Sequence, residues 1–350
     1  MKMGKVPILD TINKVPGGLM VIPLILGVLA NTFFPDALQI GSFTTALFKS
    51  GANCLIGLLF FCSGAQIQFK SAGMSLYKGV VINLGKVLTG VACGVAMEGN
   101  IAITYSIANF PTLRCLEQIR NDVCYHNANV KIVIIGGGMA YGELGISHHS
   151  TEDIAIMRAL PNMVVLAPCD PVETAALTKL MMKYAGPVYF RCGYKGEPVI
   201  VNKPFEARLG GSSLIREGRD ATVFFSGTVG INAKQAVDQL AEEGIDCRLV
   251  SLYSIKPIDK EAILAAAEET KRIVVLEEHN ICGGVGSAVA EVLMDEGAGN
   301  IPFRRIAMPD VNATKVGCQA WMREQYGLGV NDVKNAVKAL IKQSEDRCKK

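Results

Sequence analysis

Apolar and polar positions alternate on two different scales along this chain. Before residue 100, long uncharged runs are separated by short polar breaks, and after residue 128 short apolar runs alternate with amphipathic stretches. Gly17–Phe34 and Gly51–Phe69 carry no charge over 18 and 19 residues. Each is long enough to cross a hydrocarbon core of about 30 Å as a helix, so the pattern predicts a two-helix membrane hairpin. A secretory signal and a buried soluble hairpin are the rival readings. The signal is disfavoured because the run starts late and lacks a small-residue cleavage site. Lys2, Lys5 and Lys14 precede the first span and Lys70 and Lys78 follow the second. This places both ends of the hairpin in the cytoplasm. A third apolar run, Gly79–Met97, holds Lys86 near its centre. A mid-span lysine costs roughly 2.5–3.5 kcal/mol, so this run is expected to stay on the cytoplasmic side.

Beyond Asn129 the periodicity is that of strands alternating with helices. Strands are predicted at Val130–Ile135, Met163–Ala167, Pro187–Cys192, Ala221–Ser226, Cys247–Leu252, Ile273–Glu277 and Phe303–Ala307. Ser150 or Thr151 is expected to cap a helix running to Leu160. Asp170-Pro171-Val172-Glu173 reads as N-cap, proline at N1 and glutamate at N3 of a helix reaching Tyr184. A linker runs through Lys203-Pro204, and a last helix covers Val330–Lys342.

Composition sharpens this division. The four histidines and the single tryptophan lie beyond residue 100, whereas the first hundred residues carry only Asp10, Asp36 and Glu98 as acids. A net charge of +3 with scattered basic residues leaves no nucleic-acid footprint. The 11 cysteines form no CxxC pair, which fits reduced thiols and argues against zinc. Gly136-Gly137-Gly138 lacks the spacing of a dinucleotide fingerprint.

Motifs then carry two resemblances. Val15-Pro16-Gly17-Gly18-Leu19-Met20, Gly41-Ser42-Phe43-Thr44 and Phe60-Phe61-Cys62-Ser63-Gly64-Ala65 resemble the start of 2-keto-3-deoxygluconate permeases, over roughly residues 1–80. Gly90-Val91-Ala92-Cys93-Gly94, Leu116-Glu117-Gln118-Ile119-Arg120-Asn121-Asp122, Ser147-His148-His149-Ser150-Thr151-Glu152-Asp153 and Glu277-Glu278-His279-Asn280 resemble the carboxy-terminal half of transketolase, especially its split forms. The expected architecture is therefore α/β. A membrane segment occupies 1–86, a transketolase pyrimidine-binding domain incomplete at its start occupies 87–203, and a transketolase carboxy-terminal domain occupies 204–350.

The transketolase resemblance implies thiamine diphosphate, with Mg2+ or Ca2+ held by an amino-terminal partner chain. It also implies transfer of a two-carbon ketol unit between sugar phosphates, in a homodimer or heterotetramer. It makes Tyr105 and Phe110 candidates for stacking on the aminopyrimidine, His148 a substrate-contacting residue and Arg191 a phosphate ligand; His279 is expected at a dimer or domain contact. No metal ligand is assigned in this chain. The family's activating glutamate falls at Gly85, so the join with the permease-like segment has removed it. Glu98 is the nearest acid but matches another family position. Gly136 and Leu144 stand where many transketolases have histidine and aspartate. With the hairpin, the enzyme domains are expected on the cytoplasmic side of the inner membrane. Two other readings stay open: a fragment of a proton-coupled sugar-acid carrier with passenger domains, and a fusion rendered inactive because both halves are cut at the join.

Overall fold

The computed structural model describes residues 90–348, so both expected membrane spans and Gly85 lie outside the described residues. Among the described residues no helix is long and apolar enough to cross a membrane. The described part opens on a helix at residues 90–97, here α1, followed by strand β1 (Ala102–Ile107). Ala92, Cys93 and Ala96 of α1 are buried in the same apolar cluster as Ile119, Val123 and Cys124. The second half of the third apolar run is thus core material of an α/β fold.

Two five-stranded sheets follow. The first has the order β1, β2 (Val130–Ile135), β4 (Val188–Arg191), β3 (Val164–Leu166) and β8 (Ser254–Lys256), parallel except for β8. The second has the order β10 (Phe303–Met308), β9 (Ile273–Asn280), β6 (Ala221–Ser226), β7 (Cys247–Ser251) and β5 (Ser213–Arg216), parallel except for β5. Every residue of β4 and β6 is buried. Parallel strands covered on both faces read as unbroken apolar runs, which is why the sequence exposes them. Short β5 and β8 carry no such signal. β8 lies after the expected boundary at 203/204 yet completes the first sheet, where Lys256 Nζ donates to the carbonyls of Arg158 and Leu160 at 2.8 and 2.5 Å. One apolar cluster runs from Ile132 and Val165 to Phe224 and Val275, so the two halves share a core.

The starts of helices α2 (Asp153–Ala159) and α3 (Pro171–Lys183) show where local chemistry suffices and where it does not. At α3, Asp170 Oδ1 accepts from Glu173 N, and Glu173 Oε2 accepts from Cys169 N, both at 2.8 Å. Asp170 Oδ2 also accepts from Ile200 N and Val201 N at 2.8 and 2.7 Å, tying the interdomain linker to this cap. The cap expected for α2 is not made by Ser150 or Thr151. Thr151 Oγ1 turns to Glu152 Oε1 at 2.9 Å, and His279 Nε2 accepts from Ala155 N at 3.3 Å instead. A distant imidazole has displaced the local hydroxyl.

Asp170→Ala removes a cap and leaves two further buried N–H groups unpaired. A loss of about 3–5 kcal/mol of unfolding free energy is expected, read by urea denaturation. Lys131 offers a pH test. Its ammonium is buried between the carbonyls of Tyr184 and Gly186, and burial lowers its pKa from 10.5 to about 8. Between these values the unfolded chain holds the proton that the folded chain has released. Lys131 therefore adds stability as pH rises through that window. Unfolding free energies of wild type and Lys131→Met, compared from pH 7 to 10, should diverge in favour of wild type.

Candidate active site

Three consecutive glycines close strand β2, and each leaves room for one side chain. A Cβ at Gly136 would overlap the Tyr141 ring, one at Gly137 the Arg191 guanidinium and one at Gly138 the Glu278 carboxylate. Gly136 and Gly138 also have φ of 81° and 71°, a conformation that disfavours side chains. The absence of a histidine at 136 is therefore built in: Tyr141 fills that space. Leu144 is exposed in a short 3-10 turn, Gly142–Leu144.

Behind the glycines lie two buried ion pairs. Arg191 Nε meets Asp153 Oδ2 at 2.8 Å, and its Nη2 donates to the carbonyls of Ser150 and Glu278 at 3.0 and 3.1 Å. Tyr189 donates to the same Asp153 oxygen at 2.6 Å. Burial pushes the Asp153 carboxyl up, but the Arg191 charge, His279 and the two donated hydrogen bonds outweigh it and hold the pKa below the usual range. The expectation for Arg191 is a fork presented to a substrate phosphate. In the structure it is 5% exposed, with Nε and Nη2 engaged in the fold's interior. The second pair joins Glu278 to Arg323, with Oε2 at 2.7 Å from Nε and 2.6 Å from Nη2. Glu278 Oε1 accepts from Met139 N at 2.6 Å, and Gln319 Nε2 donates to both oxygens at 3.0 and 3.1 Å. One carboxylate thus binds the loop after β2 to the carboxy-terminal half. Glu277 accepts from Val285 N and Gly286 N at 2.6 and 2.9 Å; burial raises its pKa. His279 is buried at the contact between halves, donating from Nδ1 to its neighbour's carbonyl, Asn280 O, at 2.7 Å and so leaving Nε2 to accept.

On this support sits an aromatic group at the carboxyl ends of β1, β2 and β4, the edge where open parallel sheets bind ligands. Phe110 and His148 meet edge to ring at 5.5 Å, His148 and Tyr141 are 6.3 Å apart, and Tyr141 and Tyr194 are 4.5 Å apart. Tyr105 lines one cleft with Tyr194 and is 66% exposed. The structure therefore brings Tyr105, Phe110 and His148 together, adds Tyr141 and Tyr194, and leaves Arg191 out. The signal for the added pair is an aromatic residue shortly after a strand's end, a position equally suited to core packing. Ser147 Oγ lies 3.0 Å from His148 Nδ1. The Arg114 guanidinium covers the Phe110 ring at 4.3 Å. His149 is 2% exposed, burial lowers its pKa, and it lines a small cavity of about 140 Å³ with Asn109, Thr151 and Glu152. Among the described residues, no group of three or more His, Cys, Asp or Glu side chains is arranged to hold a metal.

Comparison with known proteins follows the same division. Residues 9–113 match the 2-keto-3-deoxygluconate permease family, 86–194 the transketolase pyrimidine binding domain and 210–333 the transketolase C-terminal domain. The first two matches overlap at 86–113, where the described residues belong to the α/β fold. The chain is 39% identical over 255 residues to a subunit of apulose-4-phosphate transketolase from Phocaeicola vulgatus, covering 73% of this chain and 80% of that one. It is 36% identical to a putative transketolase C-terminal section from Methanocaldococcus jannaschii, covering 73% and 80%. A split-gene transketolase solved as an inactive beta4 tetramer superposes with a TM-score of 0.66 at 37% identity, covering 74% of this chain and 81% of that one.

Breaking the second ion pair tests the support of the site. Arg323→Met strands the Glu278 carboxylate in the interior, and a loss of about 3–5 kcal/mol is expected in urea unfolding. An effect below about 1 kcal/mol, the range of exposed pairs, would show that Glu278 does not hold the halves together.

Proposed function

This chain belongs to the transketolase family, and on that premise we propose that it is the carboxy-terminal subunit of a split thiamine diphosphate enzyme transferring two-carbon ketol units between sugars. The observation that carries the reading is the aromatic group at the sheet's ligand edge, a platform suited to an aminopyrimidine ring. An amino-terminal partner chain, with its Mg2+ or Ca2+, completes the site.

The residues present fit the pyrimidine half of the cofactor. Phe110 and Tyr105 would offer flat faces to the ring, with Phe110 fixed by Arg114 on one side and His148 at its edge. Thiamine diphosphate, when bound, supplies the carbon nucleophile and electron sink of ketol transfer. His148, oriented through Nδ1 by Ser147, would hold or pass a proton at a substrate hydroxyl. Gly85 has no carboxylate to offer the cofactor, so activity as the chain stands is low. The split-gene tetramer described as inactive supports dependence on a partner. The permease-like segment, on this reading, holds the enzyme domains to the cytoplasmic face of the inner membrane.

Ketol transfer measured with an amino-terminal transketolase chain tests the reading. Gly85→Glu is expected to raise the rate by on the order of 10²–10⁴-fold, the usual worth of a positioned acid or base. In that background Phe110→Ala should raise the thiamine diphosphate concentration at half-maximal rate by roughly two- to tenfold, the equivalent of an aromatic pair worth about 0.5–1.5 kcal/mol. Ketol transfer by this chain alone, or no transfer by the Gly85→Glu mixture, would overturn it.

A further inference from the structure

Glu173 uses one carboxyl oxygen to cap α3 and leaves the other unpaired at the seam between the two halves. Oε2 accepts from Cys169 N at 2.8 Å. Beside the carboxyl lie the hydroxyls of Ser213 and Ser251, cross-strand partners on β5 and β7. Glu173 and Ser251 are completely buried and Ser213 is nearly so. Among the described residues, Glu173 Oε1 and both serine hydroxyls have no hydrogen-bond partner. Three unpaired oxygens thus gather in the interior, an arrangement that is costly unless something joins them.

The groups around Glu173 favour a proton as the joining element. Among the described residues, no lysine, arginine or histidine forms an ion pair with it. Asp170, in the same turn, spends both carboxyl oxygens on the N–H groups of Glu173, Ile200 and Val201. Cys169 presents a thiol and Tyr253 a phenol, and burial pushes both up, away from ionisation. The Arg208 guanidinium, beyond Tyr253, is exposed and faces Asp259 Oδ2 at 3.7 Å. An O–H on Oε1 would supply a donor to a serine oxygen and remove the charge from the interior. Burial raises the pKa of Glu173, and the Cys169 N–H and the two hydroxyls only partly offset it.

We propose that Glu173 is a proton-operated latch between the two halves. As the neutral acid it closes α3 onto β5 and β7. Its ionisation loosens the first turn of α3 and, through Asp170, the linker at Ile200 and Val201. Because Cys169, Asp170, Pro171 and Thr174 also line a cleft with Tyr105 and Tyr194, the latch sets how firmly that wall is held. The direction follows from linkage. Below the ordinary glutamate value of 4.5, folded and unfolded chains both hold the proton. Above it only the folded chain does, so this contribution to stability is lost as pH rises through the folded value.

Infrared difference spectra of the full chain, wild type minus Glu173→Gln, read the proton directly. At pH 6 an ordinary glutamate, with a pKa of about 4.3, is almost wholly ionised. A neutral carboxylic acid band should nevertheless be present in the wild type and missing from the variant. Ser251→Ala keeps the carboxyl, removes a group that favours its ionisation, and should move the loss of the band to higher pH. Amide exchange at the start of α3 and at Ile200 and Val201, corrected for its intrinsic rise with pH, should accelerate by about tenfold or more from pH 6 to 9 in the wild type. The same amides should show no such acceleration in Glu173→Gln. An ionised Glu173 at pH 6, or acceleration equal in wild type and Glu173→Gln, would overturn the proposal. If Glu173→Gln does not fold, the spectra of wild type and Ser251→Ala decide: a neutral acid band lost at the same pH in both, or absent from both at pH 6, overturns it.

Discussion

One buried carboxylate, Glu278, fixes the geometry on which the rest depends. It takes a backbone N–H from Met139 in the first half and a guanidinium and an amide from Arg323 and Gln319 in the second. Removing one partner from such a pair leaves an uncompensated charge in low dielectric, which costs more than the pair contributes over apolar packing. The interaction therefore acts as a specification of register. It allows one placement of the loop after β2, and that loop carries Tyr141 and His148.

The glycines and the second ion pair follow from this constraint. Gly138 has no side chain because the Glu278 carboxylate occupies the space, and Gly137 lies against Arg191. Arg191 in turn holds Asp153 at the start of α2 and reaches the Glu278 carbonyl. With Arg158 donating to the carbonyls of Gly283 and Gly284 at 2.6 and 3.1 Å, the turn after β9 is locked to α2. The binding edge is thus rigid at its back and open at its front, where Tyr105 and Tyr194 are exposed. Such an arrangement suits a surface completed by another chain.

The parts of this fold legible in the sequence are those decided locally. The run from Val130 to Ile135, the buried β6 and the Asp170–Glu173 cap depend on neighbouring residues and stand where the pattern places them. The permease-like and transketolase-like resemblances are both legible from ordered motifs. What stays hidden depends on residues far apart. Nothing near Ser150 or Thr151 announces that His279 will serve their helix. Nothing in Ser254–Lys256 shows that three residues of the second half will extend the first sheet. Arg191 belongs with these: nothing in the strand-end arginine announces the buried Asp153 that is brought to it. In the site, Phe110 and His148 are legible through their motifs, whereas Tyr141 and Tyr194 gain meaning only when the ends of β2 and β4 come together.

We propose that this chain carries half of a thiamine diphosphate site. Calorimetric titration of thiamine diphosphate, with Mg2+, into the chain alone, an amino-terminal transketolase chain alone and an equimolar mixture addresses it most directly. Saturable binding that is stronger in the mixture than the sum of the separate chains, together with no binding to this chain alone, is the expected result. Binding to this chain alone at comparable affinity, or a mixture no better than its parts, would show that the site is not shared between the two chains.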